Sequence, residues 1–253
     1  MRRVLVVGVG AGNPDHMTVA AIAAVNEADV VFELDRSTTD LTAARAALLE
    51  RFVTREPGPR TVVVAEPARD RSAADYGAAV QRWRAARAEA WERAITVELG
   101  SDGCGAFLVW GDPSLYDSTT AVLDVVLARD RVAFAYEVIP GISSLHALTA
   151  AHRIALNRVA GEVLITTGRR LSDGGWPAGV DDVAVMLDGR GAFRAVLDEP
   201  VDIYWGAYLG TTEELLVSGP LAEVADEIDR RREAARERNG WVMDCCLLRR
   251  RDG

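Results

Sequence analysis

Trp110, Gly111 and Asp112, followed by Pro113, Ser114, Leu115 and Tyr116, end an apolar run at an acidic turn. The four apolar residues Phe107 to Trp110 suit a strand covered on both faces, while Gly111 tolerates unusual dihedrals and Pro113 presets a turn or a first helical position. Such a turn sets a carboxylate and open backbone groups at the C-terminal end of a strand, where open α/β sheets gather ligands. Taken alone, Asp112 carries two readings, a simple cap and a ligand-positioning carboxylate.

A second candidate is the glycine-rich stretch Gly8-Val9-Gly10-Ala11-Gly12, which directly follows the first apolar run, with Asp35 closing the second. That pairing invites the G-x-G-x-x-G fingerprint of an NAD(P)-dependent oxidoreductase, with Asp35 on a ribose. The spacing argues against it: Asn13 stands where the third glycine belongs, and a helix cap at Thr18 comes too late to seat a pyrophosphate. A wider loop through Asn13, Asp15 and His16 instead lines a cavity larger than a phosphate cradle, with Gly10 and Gly12 letting the backbone approach a bulky ligand. Asn13 and Asp15 also suit turn hydrogen bonds beside an exposed His16, and the residues alone leave both readings open.

No metal centre is expected. His16, His146 and His152 are scattered, and Cys104, Cys245 and Cys246 lack C-x-x-C spacing, which makes them small buried hydrophobes by expectation. Nothing resembles G-x-S-x-G or a cysteine–histidine pair, so a covalent protein nucleophile is not expected either.

The 253 residues are 49% hydrophobic, enough for one large or two ordinary cores, and the formal charge of -9 disfavours nucleic acid as a partner. All 29 basic residues are arginine. Guanidinium suits bidentate capture of a polycarboxylate, and composition bias accounts for the same fact. No apolar run of spanning length and no cleavage signature occur, so the expectation is a cytoplasmic protein without membrane attachment.

The elements that must position these residues alternate. Strands are expected at 4–7, 30–34, 61–65, the run into Trp110, and 132–139; helices at 18–26, 43–52, 74–95 and 119–127. Pro140-Gly141 reads as a hinge. Beyond it a helix at 145–151, strands at 163–167, 183–187 and 201–205, a charged helix at 221–232 and a strand at 241–248 follow, with 172–179 as a flexible loop. The fold class is α/β: two α/β domains, residues 1–139 and 140–253, with mostly parallel or mixed sheets and a cofactor cleft between them.

Three segments occur in order: V-G-V-G-A-G-N-P-D-H-M-T with A-D-V-V-F-E-L-D, then W-G-D-P-S-L-Y, then V-I-P-G-I-S-S. Together they resemble the tetrapyrrole (corrin/porphyrin) methyltransferases over essentially the whole chain. The G-A-G-x-P-D-H loop, the long 74–95 segment and T-T-G-R-R-L at Thr166–Leu171 are similar to the branch that methylates C1 of precorrin-5 and releases an acetyl group as acetate. The resemblance implies a homodimer that binds S-adenosylmethionine and a tetrapyrrole. Carried over by motif, Trp110, Gly111, Asp112 and Leu115 hold one side of the cofactor, Ser143 and Ser144 another, and Met186, Ala207 and Tyr208 complete it, with Ala11 approaching from the first loop. Ala11 stands where many relatives have proline, and Asn13 where they often have aspartate. W-G-A-Y-L-G departs from the commoner family pattern around Ala207 and Tyr208, and Arg169-Arg170 replaces a histidine found after T-G in several branches.

Acetyl removal requires water to add to a carbonyl and a proton to be managed, which favours a carboxylate or histidine. Asp35, His16 and Asp15 are the candidates, with Tyr116 as a further donor. Arg169 and Arg170 are candidate anchors for the carboxylate arms of the macrocycle.

Overall fold

The computed structural model describes residues 1–34, 39–67 and 75–251. It folds as two compact units, Met1–Gly10 with Pro14–Ile142, and Ala11–Asn13 with Ser143–Gly253.

In the first unit β1 (Arg2–Gly8), α1 (Val19–Glu27), β2 (Val30–Leu34), α2 (Thr39–Phe52), β3 (Arg60–Val64), α3 (Tyr76–Glu98), β4 (Cys104–Val109), α4 (Thr119–Ala128) and β5 (Phe134–Ile139) alternate. The five strands form a parallel sheet in the order β3-β2-β4-β1-β5. Strand residues alternate between its faces. Val4, Val6, Val30, Phe32, Phe107 and Val109 bury themselves under α3 and α4. Leu5, Val7, Val31, Ala106 and Leu108 pack under α1 and α2. β4 therefore has flanking strands whose following helices cover the opposite face to its own, and crevices for ligands open at the C-terminal ends of such strands.

Local chemistry starts these helices as expected. Thr18 caps α1 by accepting from Ala21 N at 3.0 Å, and Asp75 caps α3 by accepting from Ala78 N at 2.9 Å. In α3, Ala88, Trp91, Ile95 and Leu99 form the buried stripe, and Trp91 stacks on Phe107 at 4.4 Å between ring centroids. Fully buried Arg87 pairs with Glu66 at 2.8 Å, lies over the rings of Trp83 and Trp91, and donates to Ser118 Oγ at 2.8 Å just before α4.

The second unit comprises α5 (Ser144–His152), β6 (Val163–Thr167), α6 (Gly168–Gly174), β7 (Asp182–Met186), a 3-10 segment (Ala192–Val196), β8 (Val201–Ala207), β9 (Leu215–Pro220), α7 (Leu221–Asn239) and β10 (Asp244–Arg250). Its sheet is mixed, β6-β7-β10-β8-β9, parallel only between β6 and β7. Two elements differ from expectation. Residues 168–174 are helical where the loop was expected to begin at 172, because Thr167 caps the turn through Arg170 N. β9 was not anticipated: it is an edge strand ending in Ser-Gly-Pro, residues tolerated at an edge. Among the described residues no helix is long and apolar enough to cross a membrane, and no cluster suits a metal ion. All three cysteines are buried, and burial holds the Cys104 thiol up at about 11 and Cys245 at about 12.

Candidate active site

The C-terminal ends of β1 and β4 are tied by backbone, and that of β5 is joined to them by a side chain. Val9 N donates to Val109 O at 2.9 Å, Gly10 N to Gly111 O at 3.2 Å and Gly111 N to Gly10 O at 2.8 Å, so the glycine loop and the G-D-P turn form a short antiparallel bridge. Asp112 extends it: Oδ2 accepts from Gly141 N at 2.8 Å, while Oδ1 accepts from Ser114 N at 2.9 Å and from Ser114 Oγ. A Cβ on Gly141 would collide with the Gly111 carbonyl oxygen, so only glycine lets the turn after β5 close against the turn after β4. The Asp112 carboxylate is thus a positioning group that fixes two loops. Four residues on, Tyr116 takes a left-handed conformation with φ of 52° and remains 46% exposed, a strained placement for a bulky residue in a loop held at both ends.

On the α1/α2 face, Pro14–His16 form a 3-10 turn. Exposed Asp15 pairs with Arg51 at 2.5 Å. His16 packs directly over Gly10, where a Cβ would lie 2.5 Å from its own, and its Nδ1 is buried without a hydrogen-bond partner among the described residues. Trp110 packs on the same apolar cluster, and its indole Nε1 is likewise buried without a partner. Asp35 lies outside the described residues.

In the second unit, buried Ser143 caps α5, and its Oγ lies 2.7 Å from His146 Nδ1. Ser144 begins the helix. Met186 ends β7, and Leu187 beyond it is left-handed at φ 54° and 65% exposed. This turn is anchored from behind. Asp188 accepts backbone hydrogen bonds from Arg190, Gly191 and Ala192 at 3.1, 2.9 and 2.7 Å, and its carbonyl receives Arg232 Nη2 at 2.7 Å. The Arg232 Nε lies 3.0 Å from Asp244 Oδ2, off the hydrogen-bond axis, and Trp205 Nε1 donates to the same oxygen at 2.8 Å. Burial pushes Asp244 up to about 6 despite that arginine.

Ala207 is fully buried, and Tyr208 is left-handed at φ 50° with its hydroxyl donating to Trp241 O. Their side chains face the core, and the Tyr208 backbone is engaged as well, its N–H donating to Met243 O at 3.0 Å and its carbonyl accepting from Thr211 N at 3.0 Å and Thr211 Oγ1 at 2.7 Å. Ala11 is buried, and Gly12, with φ of 145°, sits where a Cβ would lie 2.5 Å from Leu209 O. Arg169 and Arg170 are exposed on the first turn of α6.

Sequence reasoning missed three features: the bond from Gly141 to Asp112, the left-handed Leu187, and Glu33, whose Oε1 is buried without a partner among the described residues. Glu33 did carry a signal. It occupies the position two residues after Val31, on the face that Val31 buries.

Comparison with known proteins places this geometry. A family model described as Tetrapyrrole (Corrin/Porphyrin) Methylases matches residues 3–225. A Sinorhizobium sp. protein named Precorrin-6A synthase (deacetylating) is 50% identical over 252 residues, which cover 99% of this chain and 96% of that protein. The crystal structure of a cobalamin synthesis related protein, CobF, from Corynebacterium diphtheriae is 35% identical with a TM-score of 0.87, each chain covered in full. Uroporphyrin-III C-methyltransferase from Thermus thermophilus, complexed with S-adenosylhomocysteine, shares the fold at 20% identity and a TM-score of 0.54, covering 97% of this chain and 96% of that one. The chain belongs to the tetrapyrrole methylases. Enzymes of this family use S-adenosylmethionine, which makes the chain an S-adenosylmethionine-dependent methyltransferase.

Proposed function

We propose that the chain methylates precorrin-5 at C1 and releases its acetyl group as acetate, forming precorrin-6A in cobalamin biosynthesis. The observation that carries this reading is the 50% identity, over nearly the full length of both chains, to a protein named for that activity. The G-A-G-x-P-D-H loop and T-T-G-R-R-L segment agree with it.

The residues suit the cofactor. A fixed G-D-P turn and, in the second unit, the exposed left-handed Leu187 after β7 are groups suited to grip a nucleoside and an amino-acid tail. In the first unit Trp110, Gly111, Asp112 and Leu115 hold it; in the second, Ser143, Ser144, Met186, Ala207, Tyr208 and Ala11 do. S-adenosylmethionine supplies the methyl group when bound. The protein contributes position and exclusion of water, since an in-line transfer to a carbon nucleophile needs no covalent enzyme intermediate. Gly10 and Gly12 bring the first loop to the macrocycle, and Arg169 and Arg170 bind its carboxylate arms.

Asp35, His16, Asp15 and Tyr116 are the candidates for proton handling, with Asp15 weakened in that role by its ion pair to Arg51. Residues 1–139 act as the domain of the glycine loop and the G-D-P turn, and 140–253 as the cofactor-side domain. We assign a cytoplasmic homodimer. Calorimetry tests the class of chemistry: S-adenosylmethionine binds and NAD(P) does not, whereas binding of the nicotinamide alone would favour an oxidoreductase. The mass of the product formed from precorrin-5 tests the branch.

A further inference from the structure

Three polar atoms stand buried without hydrogen-bond partners among the described residues around the C-terminal ends of three neighbouring strands: Glu33 Oε1 in the last residues of β2, Trp110 Nε1 after β4, and His16 Nδ1 in the loop after β1. The order β2-β4-β1 makes them neighbours. Phe32 pairs with Phe107, so Glu33 is level with Leu108 and Trp110 lies two residues farther along, about 7 Å on, with about 5 Å between strands. Alternation puts Glu33 on the α1/α2 face with Val31, where Trp110 also packs. His16 joins them over Gly10, which the backbone bridge ties to Gly111 next to Trp110.

A buried polar group left unpaired costs about 1–3 kcal/mol, more if it is charged, so each of the few that a native protein keeps calls for a reason; the other such atoms among the described residues belong to arginines or to the ion-paired Asp182. Three at one strand edge, flanking the crevices beside β4, point to a site that a ligand completes. The rest of the face is apolar, lined by Leu108, Met17 and Ile22, so an acceptor, an indole donor and an imidazole stand at the end of a dry wall.

We propose that Glu33 is the catalytic base of acetyl removal, with Trp110 Nε1 and His16 as its partners in orienting water and the acetyl carbonyl. This rests on the precorrin-5 reading above. The oxygen of one water forms a bond to the acetyl carbonyl carbon while Glu33 accepts a proton from that water. The bond between the ring carbon and the acetyl carbon then breaks, its electron pair stays on the ring carbon that receives the methyl group, acetic acid departs and loses its proton to solvent, and Glu33 releases the proton it took to solvent, restoring the carboxylate. Trp110 N–H donates to the carbonyl oxygen as it gains negative charge.

The test compares wild type, Glu33→Gln and Glu33→Asp with precorrin-5 and S-adenosylmethionine, reading acetate release, cofactor affinity by calorimetry and the pH profile of kcat/KM. Glu33→Gln preserves shape, so cofactor affinity stays within about twofold while acetate release falls about 100-fold or more and the acidic limb of the profile disappears. Glu33→Asp keeps that limb and part of the rate. Acetate release by Glu33→Gln within about twofold of wild type overturns the assignment, as does an equal loss of cofactor affinity and acetate release, which marks a merely structural carboxylate. A wild-type chain that leaves the acetyl group in place overturns instead the precorrin-5 reading beneath it.

Discussion

The Gly141 backbone N–H donates to Asp112 Oδ2 at 2.8 Å, joining the turn after β5 to the turn after β4 across 29 residues of sequence. Asp112 therefore acts on any ligand through the backbone it fixes, with its charge already engaged by Gly141 and Ser114.

Removing that carboxylate frees both loops. Asp112→Ala should weaken S-adenosylmethionine binding about tenfold or more and lower stability by about 1.5–3 kcal/mol, the range for a hydrogen bond to a charged acceptor. Asp112→Asn retains an acceptor oxygen and should fall between. Titration calorimetry and urea melts check both, and unchanged affinity in Asp112→Ala would detach the turn from the cofactor.

Gly141→Ala should be worse than its size suggests. The added methyl meets the Gly111 carbonyl, a backbone atom that cannot rotate away. We expect a melting temperature well below wild type and lost cofactor binding; Gly174→Ala, where a Cβ has open space, should change neither. Parallel thermal melts decide this.

Much of the architecture was legible in the sequence because its signals are local. Apolar runs marked the parallel strands, and Thr18 marked the start of α1. β9 was not legible, since Leu215-Leu216-Val217 is too short a run to stand out before Ser-Gly-Pro, and its pairing with β8 is tertiary. The motif around Asp112 was readable, but its partner Gly141 was not, because no local rule links them. Glu33 was overlooked as an ordinary strand residue between the apolar Phe32 and Leu34. Its significance depends on the strand order that brings β4 beside β2.

Arg169 and Arg170 are exposed on α6 and make no contribution to the core. Replacing both with alanine should raise the KM for the tetrapyrrole about tenfold or more while leaving the Kd for S-adenosylmethionine unchanged. Steady-state kinetics with an unaltered KM would remove them from the substrate site.

Asp244 provides a pH test of the second unit. Burial raises its pKa to about 6 in the fold, against an ordinary carboxylate value of 3.8 in the unfolded chain. The folded state holds the proton longer, so this residue's contribution is fully present below about pH 4 and is lost as pH rises through about 6. Relative to wild type, Asp244→Asn should therefore gain stability between pH 4 and pH 6.5, by up to about 3 kcal/mol at 1.4 kcal/mol per unit. Urea melts across that range check the sign; a gap moving toward the wild type would show that Arg232 lowers the carboxylate instead.

The most direct measurement is the mass of the tetrapyrrole formed when the purified chain meets precorrin-5 and S-adenosylmethionine. The expected product has gained one methyl group and lost its acetyl group, with acetate and S-adenosylhomocysteine released in equal amounts. A product that gains methyl yet keeps acetyl would contradict it.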